Sequence, residues 1–154
     1  DPGVVLYLLQ ERGMSADEVY DLLYRRSGLL GMSGVSHDMR ALQESASEDA
    51  RRAIDYFVYR VRREIGAMAA ILGGLDALVF TGGIGEHATA IRAGVCAGME
   101  WLGLALDNAA NARGGLISAA FSRVRIHVIP TDEERIIARH ARALIGAAER
   151  DSAS

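Results

Sequence analysis

The stretch Leu78-Val79-Phe80-Thr81-Gly82-Gly83-Ile84-Gly85-Glu86-His87 decides how this chain is read. An apolar run with β-branched and aromatic residues breaks into three glycines within four positions, and a helical pattern follows at once. That predicts a strand, a tight turn and a helix start. Residues without a Cβ let backbone N–H groups approach a ligand, and a helix start adds the positive end of its dipole, so the unit suits an anion such as phosphate. A turn that uses glycine only to pack a helix on a strand fits the same residues, so the flanking chain has to decide.

The chain has 154 residues, half of them apolar, enough for one domain with a core. A formal charge of −3 offers no electrostatic footprint for nucleic acid or an anionic membrane. All 17 basic residues are arginine, which excludes a Walker A loop and Schiff-base chemistry, both of which need a lysine. The single cysteine, Cys96, permits no internal disulfide, fits a reducing cytoplasm, and falls among small and apolar residues that predict a buried, inert thiol. No run of about 20 apolar residues predicts a membrane span.

Outward from the glycine turn, the preceding segment from about Ser47 to Leu72 carries apolar residues at three- and four-residue steps: Ile54, Phe57, Val58, Val61, Ile65, Met68, Ala69 and Leu72. It predicts the longest helix, with Arg62 among the charges of a solvated face and Gly73-Gly74 as its stop. Earlier, Val4 to Arg12 and Ser15 to Arg26 predict two short packed helices, the second opened by a Ser15/Glu18 capping box. Ser27 to Arg40 has glycines, serines and no period, and is expected as a loop ordered by Leu29, Leu30, Met32 and Val35.

After the turn, one helix is expected over about Glu86 to Leu102, with Trp101 in the core, then a loop or frayed helical turn over Asp107 to Gly115. Val124 to Ile129 predicts a buried parallel strand closed by Pro130, and Thr131 with Glu134 predicts a capping box opening a last helix. Helices alternating with single strands predict an α/β protein, helix-rich, with few parallel strands. Two strands are too few for a self-sufficient sheet, and the abrupt start at Asp1-Pro2-Gly3 adds to the expectation of a piece of a longer polypeptide.

Two further stretches give the turn chemical company. Gly31 to Arg40 ends in Asp38-Met39-Arg40, where a carboxylate can accept from a ribose hydroxyl or an adenine amino group and a guanidinium can stack on a base or pair with phosphate. Capping by Asp38 and a solvated Arg40 explain the same residues. Ile129-Pro130-Thr131-Asp132-Glu133-Glu134 stands at a strand's carboxyl end, where open α/β sheets put ligand-binding groups. Asp132 and Glu133 are the carboxylates there that a Mg²⁺ ion could use, since it takes few protein oxygens.

Together, Ser27-Gly28-Leu29-Leu30-Gly31 through Asp38-Met39-Arg40, Val79 to Glu86, and Val128 to Glu134 resemble, in order, the C-terminal part of the acetate kinase family. The resemblance runs along nearly the whole chain. It implies a partial ribonuclease-H-like, actin-like ATPase C-terminal domain: residues 1–150 as the nucleotide-binding part and 151–154 as a frayed tail. It implies phosphate transfer between ATP and acetate with Mg²⁺ in a cytoplasmic homodimer. Residue by residue, Asp38, Met39 and Arg40 would meet the adenosine, Gly83, Ile84, Gly85, Glu86 and His87 would cradle the nucleotide, and Glu133 would help hold Mg²⁺. His87 stands where the family often has Asn, and Asp132 where Asn usually precedes the two glutamates.

The resemblance also implies that an essential arginine, the pocket for acetate or a similar short acyl acid, and the catalytic histidine lie before Asp1. The chain would then hold no catalytic residue and be inactive alone. Two other readings compete. A dinucleotide-binding oxidoreductase fragment would use Gly83-Ile84-Gly85-Glu86-His87-Ala88 as G-x-G-x-x-A and Asp107 on the ribose, leaving the other two motifs unexplained. A non-catalytic dimerisation module would use the apolar helices and Trp101.

Overall fold

The computed structural model describes residues 1–132 together with Arg142. The expected helix after Thr131, Arg142 apart, its capping partner Glu134, the metal candidate Glu133, His140 and the tail lie outside the described residues.

Among the described residues, eight α-helices precede and interleave with three strands. Helix α1 spans Pro2–Gln10 and α2 spans Ala16–Arg25. Ser15 Oγ accepts from Glu18 N–H and the Glu18 carboxylate accepts from Ser15 N–H, so two donors that a helix start leaves orphaned are met reciprocally. The Ser27–Arg40 segment departs from the expected loop: Gly28–Ser33 forms α3, ended by Gly34 in the left-handed region, and Met39–Glu44 forms α4 with Asp38 as its cap. Glycines weaken the helical signal there, and packing of Leu29 against the core overrides it.

Helix α5 runs from Glu48 to Leu72, capped by Ser47 and closed by Gly73. Ile54, Phe57, Val58, Val61 and Ile65 pack against the core as the spacing predicts, whereas Met68 and Leu72 are exposed. Arg62 departs from the solvated face: its Nε donates to Val95 O at 3.2 Å and its Nη2 to Gly94 O. Those carbonyls close α7, so the contact also suits the negative end of that helix.

Strand β1 (Ala77–Phe80) pairs in parallel with β3 (Arg125–Val128), Phe80 opposite Val128. Strand β2 (Gly115–Leu116) pairs antiparallel with β3, giving the order β1-β3-β2. The sheet is therefore mixed rather than parallel; the two-residue β2 is too short to carry a period.

The single helix expected over Glu86 to Leu102 is three pieces: α6 (Gly82–His87), α7 (Thr89–Cys96) and a 3₁₀ turn at Glu100–Leu102. The backbone kinks at Ala88, with φ −94° and ψ 80°, and Gly98 (φ 76°) separates the 3₁₀ turn. That turn points Trp101 outward, 67% exposed, so the core position expected for it is wrong. Helix α8 (Asn108–Arg113) follows, capped by Asp107. The main core joins Phe80, Ile91, Val95, Leu104, Ile117 and Ile126, and burying each such side chain contributes about 1.5–3 kcal/mol. Cys96 is buried there as expected.

Candidate functional site

The turn opens where β1 ends. Gly82 has φ 71°, a left-handed conformation that a side chain would strain, and from it α6 begins. Gly85 serves a different purpose: a Cβ there would lie 3.2 Å from the carbonyl carbon of Phe80, so its missing side chain lets α6 fold back onto β1.

Glu86 braces the same turn. Its Oε1 accepts from Gly82 N–H (2.9 Å), Thr131 N–H (2.8 Å) and the Thr131 hydroxyl (2.9 Å). With the Thr131 proton directed to the carboxylate, its lone pairs accept from the Thr81 hydroxyl and Gly82 N–H, each at 2.9 Å. The hydrogen bonds from Thr131, backbone first and hydroxyl second, hold the Glu86 carboxyl below its ordinary pKa, with Gly82 and His87 assisting.

The second wall is the start of α4. Buried Ser33 organises the preceding loop, its Oγ accepting from Val35 N–H and Ser36 N–H, while Ser36 Oγ accepts from Asp38 N–H at 3.0 Å. Asp38 Oδ1 then accepts from Arg40 N–H at 2.9 Å, capping α4. Met39 is buried in the core and Arg40 points to solvent with no ion pair among the described residues.

These two walls face one cavity of about 270 Å³, lined by Asp38, Met39, Arg40, Gln43, Gly83, Ile84, His87 and Ala88. That volume is near the lower end, about 300 Å³, of small-molecule sites. Of the expected adenosine and cradle residues, Asp38, Met39, Arg40, Gly83, Ile84 and His87 meet there; Gly85 and Glu86 do not line it and instead shape the turn.

Of the lining residues, Gln43 carries no signal in the sequence, and Ala88 stands out there only as the last position of the G-x-G-x-x-A pattern. Gln43 is three positions beyond Arg40 and shares its helix face, a signal available only once α4 is known to be helical. Arg92 was missed as well: 2% exposed, it donates to the carbonyls of Gly85 and Glu86. Its position between Ile91 and Val95, in an otherwise apolar helix, is the signal that could have found it.

Asp107, the ribose candidate of the dinucleotide reading, accepts from Ala110 N–H at 2.9 Å and caps α8. The apolar run before it makes only an isolated bridge, Leu106 to Ser118, and not a strand. His37 and His127 stand outside the cavity, and among the described residues no group of three or more His, Cys, Asp or Glu could hold a metal.

The acetokinase family profile matches residues 1–139. Acetate kinase of Methylocella silvestris is 58% identical over 146 residues, covering 94% of this chain and 36% of that protein. Acetate kinase of Rhodopseudomonas palustris (strain TIE-1) is 62% identical over 143 residues, covering 91% and 36%. The crystal structure of Porphyromonas gingivalis acetate kinase superimposes with a TM-score of 0.84 at 38% identity, covering 94% of this chain and 38% of that one. A Francisella tularensis propionate kinase gives 0.78 at 36% identity, covering 87% and 35%. The chain thus spans about a third of the length of the curated relatives it matches. Its helix-rich α/β fold with a small mixed sheet is that of the matching part of these kinases, and the chain belongs to the acetokinase family.

Proposed function

We propose that this chain is the nucleotide side of an acetate kinase, which transfers a phosphoryl group between ATP and acetate, and that residues 1–150 act as one nucleotide-binding part. The observation that carries this reading is the cavity in which Asp38, Met39 and Arg40 face Gly83, Ile84 and His87. Half-buried Ile84 supplies apolar surface for a base, with core residue Met39 behind the cavity wall, and the Asp38 carboxylate an acceptor for a ribose hydroxyl or exocyclic amine. The Arg40 guanidinium can stack on the base or pair with phosphate. Gly83 keeps the backbone open to close approach.

Phosphoryl transfer rests on positioning and on charge placed around the transferring group. Thr131, pinned by Glu86, is followed in the sequence by Asp132 and Glu133, carboxylates of the chemistry a hard cation takes. Glu133 is the proposed Mg²⁺ ligand, water and phosphate oxygens completing the shell; the ion would neutralise phosphate charge. The acid is acetate or a similar short acyl acid, in line with similarity to both acetate and propionate kinases. Its pocket and the catalytic residues are proposed to come from outside this chain, leaving the chain inactive alone.

Calorimetric titration tests the reading: saturable ADP binding strengthened by Mg²⁺, with no response to NAD, is expected. Binding of NAD without ADP would overturn it, and acetyl phosphate formation by the 154-residue chain above a no-enzyme control would overturn the inactivity.

A homodimer is proposed as well. Val4, Leu6 and Tyr7 of α1 and Tyr20 and Tyr24 of α2 are exposed, large apolar and aromatic side chains that a second copy of the chain could cover. Light scattering behind size-exclusion chromatography should give twice the chain mass. Among the described residues no helix is long and apolar enough to cross a membrane, and a cytoplasmic location is the proposal that fits the lone buried thiol.

A further inference from the structure

Arg92 is almost wholly buried, and among the described residues its guanidinium donates to neutral groups alone. Nε donates to Asn111 Oδ1 and Nη2 to Asn111 O, each at 2.7 Å. Nη1 donates to Gly85 O and Glu86 O, each at 2.8 Å. Asn111 Nδ2 in turn donates to Thr89 O at 3.0 Å. A cation without a counter-charge is costly to bury, and an apolar side chain would fill the same space, so its directional donors are what distinguish it.

Those donors converge on the kink at Ala88. In an unbroken helix the N–H groups of Thr89 and Ala90 would return to the carbonyls of Gly85 and Glu86. At the kink the guanidinium supplies donors to those two carbonyls, while its partner Asn111 takes the carbonyl just beyond. Both sides of the bend are thereby tied to one planar fork, itself fixed to α8. The bend sets the direction of α6, and with it where Gly83, Ile84 and His87 stand relative to Asp38 and Arg40.

We propose that Arg92, held by Asn111, is a positioning residue for the nucleotide cavity, fixing the α6 turn at the angle at which its backbone meets the ligand. This rests on the nucleotide reading above. The guanidinium touches no ligand itself; it acts through Gly85 and Glu86.

The test compares wild type, Arg92→Lys and Arg92→Ala by ADP titration, at temperatures where circular dichroism shows each to be folded. Lysine keeps the charge and can reach the turn carbonyls but cannot span to Asn111 as well. The expected order of affinity is wild type, then Lys, then Ala, with Ala weaker by about tenfold or more, equivalent to 1.4 kcal/mol. In the ligand-free Lys variant the amide resonances of Gly83 and Ile84 should shift while those of Ala50 and Ala53, in the separate small cluster, stay in place. A folded Lys or Ala variant that binds ADP within twofold of wild type would overturn the proposal, as would shifts spread evenly to Ala50 and Ala53. Failure of both variants to fold would assign Arg92 to core stability and overturn it too. If wild type shows no saturable ADP binding, the nucleotide reading itself fails and the proposal falls with it.

Discussion

Glu86 and Thr131, 45 residues apart, are joined twice: Glu86 Oε1 accepts from the Thr131 backbone N–H at 2.8 Å and from its hydroxyl at 2.9 Å. The glycine turn after β1 and the segment after β3 thus form one unit rather than two neighbouring loops. Both leave the carboxyl ends of parallel strands, so strand pairing brings them together and the carboxylate fixes their spacing.

That link is pH-dependent in a definite direction. Hydrogen bonds from Thr131 hold the Glu86 carboxyl below its ordinary pKa in the folded chain. A group depressed on folding stabilises above its unfolded pKa, about 4.3 for Glu, and loses that contribution as pH falls through the folded value. At pH 7 Glu86→Gln should melt below wild type, and the gap should close as both are taken to pH 3. A gap independent of pH would show that the charge is not what matters.

Cys96 should be inert in the native chain. Burial pushes its thiol up to about 11, so thiolate is scarce near neutral pH. Labelling with a thiol reagent at pH 8 should be slower than in denaturant by roughly a hundredfold or more, since the unfolded thiol ionises near 8.5. Prompt stoichiometric labelling of folded protein would contradict the burial.

The elements legible in the sequence are those in which a local rule and the tertiary structure agree. The Ser15/Glu18 box, the long helical period closed by Gly73, and the apolar runs of β1 and β3 are of this kind. The break at Ala88 is not legible because alanine is a strong helix former; at the break the fork of Arg92 takes the carbonyls of Gly85 and Glu86 and reaches α8, contacts that no local pattern encodes. At the site, Asp38 to Arg40 and Gly83 to His87 stood out by composition. That Gly85 and Glu86 shape the turn instead of lining the cavity required the positions of Phe80 and Thr131.

Trp101 and Leu104 test where the core lies. Leu104 is 1% exposed within the main cluster, and Leu104→Ala should cost about 2–5 kcal/mol in chemical denaturation. Trp101 is 67% exposed on the 3₁₀ turn, and Trp101→Ala should change stability by no more than about 0.5 kcal/mol. If the tryptophan proves the more damaging of the two in the monomeric state, the turn is packed otherwise than described.

Gly83 and Gly85, two positions apart, should separate binding from folding. Neither has a positive φ, so backbone strain is equal and small for both. A Cβ on Gly85 would press on the Phe80 backbone, which has little room to yield, and Gly85→Ala should lose about 1–3 kcal/mol of stability. A Cβ on Gly83 meets nothing within 4 Å, and alanine is the better helix former, so Gly83→Ala should match wild type or gain up to about 1 kcal/mol. Yet Gly83 lines the cavity, and if its backbone is what a nucleotide approaches, the added methyl should weaken ADP by about tenfold in the same well-folded protein. Undiminished ADP affinity in Gly83→Ala would remove Gly83 from the cradle and leave geometry as the reason for that glycine.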